Sequence, residues 1–590
     1  MTNSKPSRRQ FLSIAAAATA ATTVTPAATV LTAQVPRSAP PGTDQELVLT
    51  NGRFHTMDAR NTIASVLSVR NGRIATVGNV RPPSQPNARV IDLGGRTVVP
   101  GLIEGHIHSV SLTLRPGYHT ILENTTSLRE VQETLAARRK SVPEGQWITS
   151  MGQALSPNHW AERRRPTLRE LDDAVPDRPV LLFEGLSGPA ITNSRGKAYF
   201  DAMDAAPPIH PDIGKVNVSA DGLIAVNRAV SRCMSAEGCE WGVTPQTAGT
   251  SPAANALYYL RRLQKFEDYK RTVLDMMTYS ASVGLLTHLD QAGLVRVGPM
   301  HPNHELCNFD PFRMYDPWRA VYREGKAFVR LDVNFQLENQ TDPQAWELQE
   351  RLRNNIPFVG DDMFRESGFY SNHAAPRNST EWFQKQRLIA QAGWKQEQQG
   401  LDLESFKLTV DGLEKVAKEF DLKPLHWNVH DIQADAFRPD LLDRLKAIGV
   451  GVLVNARAGQ TSYDAKDLRI KFRTVLNHGI QTGICGDGVH IGPLNPWLHI
   501  FFAVTGLSPH GQQVNPDERI TRQEALQLFT RNNSWFVNME DSIGTLEPGK
   551  HADVVVLNKD YFSVPDAEIK QVRSALTLVG GKIVHNDGVA

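Results

Sequence analysis

Cysteine is scarce: the 590 residues hold four, Cys233, Cys239, Cys307 and Cys485, and no pair is spaced as C-x-x-C. That excludes a disulfide scaffold and a thiolate zinc site. Cys233 and Cys239 lie near enough in sequence to bridge in an oxidising compartment if their geometry allows it. An excess of either charge is also missing, since 64 Lys and Arg face 63 Asp and Glu for a net charge of +1. The first 33 residues carry Lys5, Arg8 and Arg9 and no acid, which leaves the remainder near −2. Such a balance offers no footprint for nucleic acid or an anionic membrane surface. No repeat of solenoid period is visible. Apolar residues make up 41% and charged ones 22%, as in ordinary globular enzymes, and the length allows a barrel with accessory parts.

What is present begins at the N-terminus. Ser7-Arg8-Arg9-Gln10-Phe11-Leu12 precedes a mild Ala/Thr/Val run to about Leu31, with small residues near Thr32-Ala33. A basic stretch, a soft apolar stretch and a small-residue end fit a cleavable export signal over 1–33, and the paired arginines resemble the twin-arginine type. The reading that competes with it is a disordered basic tail. Thr residues and Pro26 interrupt the apolar run, so no membrane anchor is expected, and no cysteine follows to carry a lipid. The expectation is transient use of the Tat export machinery and a periplasmic or secreted product.

Segment 44–99 reads as short strands with turns at Asn51-Gly52 and Asn71-Gly72, and 540–590 echoes it with Gly580-Gly581. Asn-Gly between alternating apolar residues is a strong hairpin signal. The two ends are expected to pair into one small β-sandwich. Between them, over 100–535, strand-like runs alternate with helical stretches, as a parallel sheet with crossovers requires. Eight candidates are 97–108, 284–290, 328–335, 364–371, 394–399, 425–430, 449–454 and 481–487, which predicts an α/β chain with a (β/α)8 TIM-type barrel. The interval 110–283 is too long for one crossover and reads as an inserted lid or subdomain.

The chemistry-bearing motif is His106-Ile107-His108 at the end of the first candidate strand. Side chains alternate along a strand, so both imidazoles face one way, and a barrel places its chemistry at that end. Neutral imidazoles suit zinc and similar divalent ions. A bare His-x-His is a weak signal; seven further strand candidates give it weight.

Val99-Pro100-Gly101-Leu102-Ile103-Glu104-Gly105-His106-Ile107-His108 resembles the first-strand signature of the amidohydrolase superfamily. The segment from Ile543 to Leu557 is similar to that family's closing sandwich. Arg178-Pro179-Val180-Leu181-Leu182 and Asn193-Ser194 resemble the inserted segment of the amidohydrolase-3 (YtcJ-like) subgroup. The resemblance implies a small-molecule hydrolase whose metal ligands are the first-strand His pair, a fourth-strand Lys or Glu, His residues on strands 5 and 6, and an eighth-strand Asp. It carries over to His106, His108, His430 and Asp487, with Asp487 also moving the proton. It fails at three places: Tyr370 stands where the subgroup has its Lys, Gln399 where it has its fifth-strand His, and Gly188-Pro189 where it has Gly-His. Tyr and Gln can hydrogen-bond but are poor zinc ligands, so Tyr370 and Gln399 are expected to face substrate or support the ligands.

With no anion at the fourth-strand position, two dications would lose what screens their repulsion. The expectation is one divalent metal, read as zinc, and hydrolysis of an amide or cyclic amide. A ligand-binding protein on an altered scaffold, an ester hydrolase and a lyase stay open. So do plainer roles: His430 as a core histidine, Asp487 as a turn residue, Tyr370 and Gln399 as packing, and His288 as structural.

Overall fold

The computed structural model describes residues 45–590 apart from 82–85, 114, 152–159, 185–188, 208–213, 226–251, 292–312, 337–341, 372–378, 457–468, 489–491 and 509–510. Residues 1–33, expected from the sequence to be an export signal, lie outside the described residues, as do Gly188, Cys233, Cys239 and Cys307. Among the described residues no helix is long and apolar enough to cross a membrane.

Eight parallel strands form the barrel: β1 (Leu102–Ile107), β2 (Leu285–Asp290), β3 (Arg330–Gln336), β4 (Phe364–Ser371), β5 (Lys395–Leu401), β6 (Asn428–Ile432), β7 (Gly451–Asn455) and β8 (Thr482–Cys485). Neighbours pair in chain order, and a parallel bridge from Ile107 to Gly488 brings β8 back toward β1. Large aromatic and branched residues, among them Trp318, Trp382, Trp394 and Trp427, fill the space between the strands and the outer helices. The chain is a TIM-type α/β barrel.

Two sequence boundaries need correction. The run 97–108 is two strands, not one: Thr97–Pro100 belongs to an outer sheet, and the barrel strand starts at Leu102. Pro100 carries no backbone N–H to extend the ladder. Gly101 then lets the backbone press on β2, where an added Cβ would stand 2.7 Å from the Leu286 side chain. The run 425–430 also starts late. Pro424 opens a 3₁₀ turn over Lys423–Leu425, His426 takes a left-handed φ of 50°, and the strand begins at Asn428.

The outer sheet unites the two ends of the described chain. Its order is Lys582–Asn586, Ser574–Val579, Val554–Leu557, Thr97–Pro100, Arg53–His55 and Ile63–Ala64. A second sheet holds Arg73–Gly78, Val66–Arg70, Leu47–Thr50 and Arg89–Asp92. Leu49, Phe54, Leu67, Val98, Val554 and Leu576 make one buried cluster between them. Asn71 and Gly72 both have positive φ, 51° and 76°, which a two-residue hairpin matched to strand twist demands.

One buried ion pair ties the outer sheet to the barrel. Arg330 at the start of β3 donates from Nε and Nη2 to both oxygens of Asp553 at 2.7 and 2.9 Å. Removing one partner strands the other charge in a dry interior, whereas replacing both does not. Arg330→Met is therefore expected to cost about 3–5 kcal/mol in denaturant unfolding, with much of it recovered in Arg330→Met/Asp553→Leu. A loss below about 1 kcal/mol would show the pair to be wet.

Between β1 and β2 the chain builds a further sheet of Tyr118–Ile121, Ile148–Met151, Val180–Phe183, Ala190–Thr192 and Leu223–Ile224. It has its own core around Leu135, Ile148, Leu171 and Leu182. Glu123, just beyond its first strand, accepts from the Tyr279 hydroxyl at 2.5 Å and from the Leu494 and Asn495 amides at 2.8 and 2.9 Å. The insert is thereby fastened to the segment that follows β8.

Candidate metal centre

The barrel mouth collects its polar residues from strand ends. His106 lies on β1 with His108 just beyond it, Tyr370 on β4, Glu397 and Gln399 on β5, His430 on β6, and Asp487 two residues past β8. All seven are buried. Asp487 has a left-handed φ of 53°, as does Asp431 at 56°; short polar side chains tolerate that region best, and strained backbone concentrates at functional sites.

Three donor atoms converge. Nε2 of His108 lies 3.3 Å and Nε2 of His106 3.6 Å from Oδ1 of Asp487. Bonds of about 2.0–2.1 Å at tetrahedral angles would separate neighbouring ligand atoms by roughly 3.3–3.5 Å. Nε2 of His106 is buried with no hydrogen-bond partner among the described residues. Two imidazole nitrogens and one carboxylate oxygen at this spacing fit a divalent cation.

His430 does not join that trio. It falls in a second, overlapping group with His106 and Glu397, its Nε2 3.8 Å from the Glu397 carboxylate. Its ring stacks on His106 at 4.3 Å between centroids. Tyr370 packs edge-on against His106 at 5.1 Å and tilts onto His430 at 5.5 Å, walling the centre from the β4 side. Gln399 points to a neighbour: its amide donates to Asp431 at 3.0 Å. Asn455 makes long contacts to Asp431 at 3.4 Å and Asp487 at 3.5 Å, completing a polar rim over β5 to β8.

Glu397 is the residue that reading by motif missed. The sequence reading found no acid to replace the absent β4 lysine, yet the structure sets this carboxylate against Nδ1 of His106. Strand alternation was the available signal, because Lys395, Glu397 and Gln399 share one face of β5. Burial acts to lower the proton affinity of His106, but the charge and hydrogen bond of Glu397 outweigh it and the net shift is upward. Glu104, also enclosed, accepts from the Gly486 amide at 2.9 Å, and burial pushes its carboxyl up to about 8. His288 stands apart: its ring nitrogens meet the Ser109 and Ser280 hydroxyls at 2.8 and 3.2 Å, and burial lowers it to about 3. It is a structural histidine. Cys485 is a buried free thiol at the end of β8.

A barrel with histidines and an aspartate at its mouth defines a class, the metal-dependent hydrolases. The model of the amidohydrolase family (Amidohydro_3) matches residues 89–215 and 276–585, more than half of the chain, and the chain belongs to that family. An N-substituted formamide deformylase of Arthrobacter pascens is 23% identical over 564 residues, covering 91% of this chain and 98% of that protein. The putative amidohydrolase YtcJ of Bacillus subtilis is 22% identical over 567 residues, covering 90% and 98%. Among solved structures, an uncharacterized metal-dependent hydrolase from Pyrococcus furiosus aligns with a TM-score of 0.54 and 19% identity, covering 88% of this chain and all of that one. The chain is thus a hydrolase of carbon–nitrogen bonds in small molecules, of the metal-dependent amidohydrolase kind.

Proposed function

We propose that this protein hydrolyses an amide or cyclic amide with a single metal, zinc by the chemistry of the donor set, held by His106, His108 and Asp487 with His430 beside them. The observation that carries the reading is the convergence of the two imidazole nitrogens on Oδ1 of Asp487. When bound, the ion polarises a carbonyl and makes water more acidic. Asp487 takes the proton that the attacking water gives up and returns it to the departing nitrogen, so water and amide become carboxylic acid and amine. Asn455 flanks Asp487, its amide 3.5 Å from the carboxylate. Tyr370 packs its ring against His106 and His430, and Gln399 supports the rim through Asp431. The insert after β1, pinned through Glu123, is read as a lid that keeps bulk water from the mouth.

The relative named as a formamide deformylase directs the first choice of substrate toward N-substituted amides. Arg8-Arg9 and the apolar run behind them support export through the Tat machinery to the periplasm or beyond. The experiment is a screen of N-substituted formamides and cyclic amides, scored by amine release. Turnover is expected to vanish on chelation and to return with zinc. Release unaffected by chelation would refute the metal; silence over the whole panel with zinc bound would refute the substrate class.

A further inference from the structure

We propose that Glu397 and Gln291 form a positioning pair that fixes the His106 imidazole, giving an amide–carboxylate–imidazole line that ends at the metal. The inference rests on the reading above that His106 is a ligand.

The line starts on β2. Gln291 follows that strand directly, and its backbone amide donates to the Ile107 carbonyl at 2.7 Å, fixing it beside the His-x-His strand. Its side chain is wholly buried and donates from Nε2 to Oε2 of Glu397 at 2.8 Å. The other carboxylate oxygen, Oε1, meets Nδ1 of His106. Glu397 is itself fully enclosed, so each oxygen is committed, one to an amide from β2 and one to an imidazole from β1. A carboxylate at Nδ1 keeps the proton there and frees the lone pair of Nε2, which faces Asp487 and His108. The carboxylate also raises the basicity of the ligating nitrogen.

His106, Glu397 and His430 could instead hold a metal themselves. That use conflicts with the first if it draws on Nδ1, because a nitrogen that donates its proton has no lone pair to give. Two features favour positioning. The Nδ1 contact has hydrogen-bond form, and the carboxylate's second oxygen is already capped by Gln291 rather than open to an ion. Oε1 of Gln291 has no hydrogen-bond partner among the described residues, so its carboxamide can turn over without breaking another bond. Glu397→Gln therefore keeps the line: the new amide accepts from Nδ1 of His106 and donates to the turned Gln291.

The test is zinc affinity of the full-length protein, measured by competition with a chromophoric chelator, alongside thermal melting. Glu397→Ala is expected to weaken zinc by about 10–100-fold, the usual cost of losing a partner that orients a ligand. Glu397→Gln should stay within a few-fold of wild type, and Gln291→Leu should fall between the two. Equal weakening in Glu397→Gln and Glu397→Ala would make Glu397 a ligand and overturn the inference alone. A wild-type protein that binds no zinc would overturn both this pair and the proposed metal. Should Glu397→Ala fail to fold, the comparison of Gln291→Leu with Glu397→Gln decides: equal affinities in those two would overturn the pair.

Discussion

Asp487→Asn is expected to lower turnover by at least about 10³-fold while the protein stays folded. The substitution suits this position structurally. Asp487 has a φ of 53°, and asparagine shares with aspartate a tolerance for left-handed backbone, so the turn after β8 is kept. Size and shape barely change, and the contact with Asn455 is long at 3.5 Å and adds little to stability. What changes is chemistry. An amide cannot take a proton from water at neutral pH, and its oxygen is a weaker partner for a cation than a carboxylate. The loss should fall on kcat more than on KM, since the missing proton transfer belongs to the transition state. Amine release under saturating substrate, with the melting temperature as control, measures it. Unchanged turnover would remove Asp487 from catalysis and leave it a turn residue.

The sequence carried more of the scaffold than of the site. Eight strand-like runs with helical spacers define a parallel barrel because the alternation of strand and crossover is a long-range pattern. No single residue decides it, so boundary shifts at Pro100-Gly101 and Pro424 leave the count unchanged. His106 and His108 were legible for a different reason: they form a short local motif, His-x-His, at a strand end, while Asp487 follows from the family resemblance, its Gly-Asp-Gly setting on its own reading as a turn. Glu397 and Gln291 have no such motif. Their meaning comes from register across β1, β2 and β5, residues far apart in sequence that a barrel sets side by side. A lone Glu within Lys395-Gln396-Glu397-Gln398-Gln399 reads as an ordinary polar stretch. The stretch is a strand candidate from sequence, but only its burial in the barrel turns it into a set of enclosed polar groups. His430 shows the converse: its motif was readable, but its division from the His108–Asp487 trio is a matter of angstroms.

Metal content gives the second large effect. Purified without chelators, the protein is expected to hold about one equivalent of divalent metal, and His106→Ala/His108→Ala to hold nearly none. The two imidazoles supply two of the three converging donors, and a lone carboxylate binds a transition ion weakly in competition with water. The double substitution leaves the apolar clusters of the barrel intact, and the melting temperature serves as the control that the variant is folded. A stoichiometry near two in the wild type would mean that His106, Glu397 and His430 hold an ion of their own, and that Glu397 supplies the anion which Tyr370 cannot. The stoichiometry thus tells whether the centre holds one ion or a second one on the β5 acid.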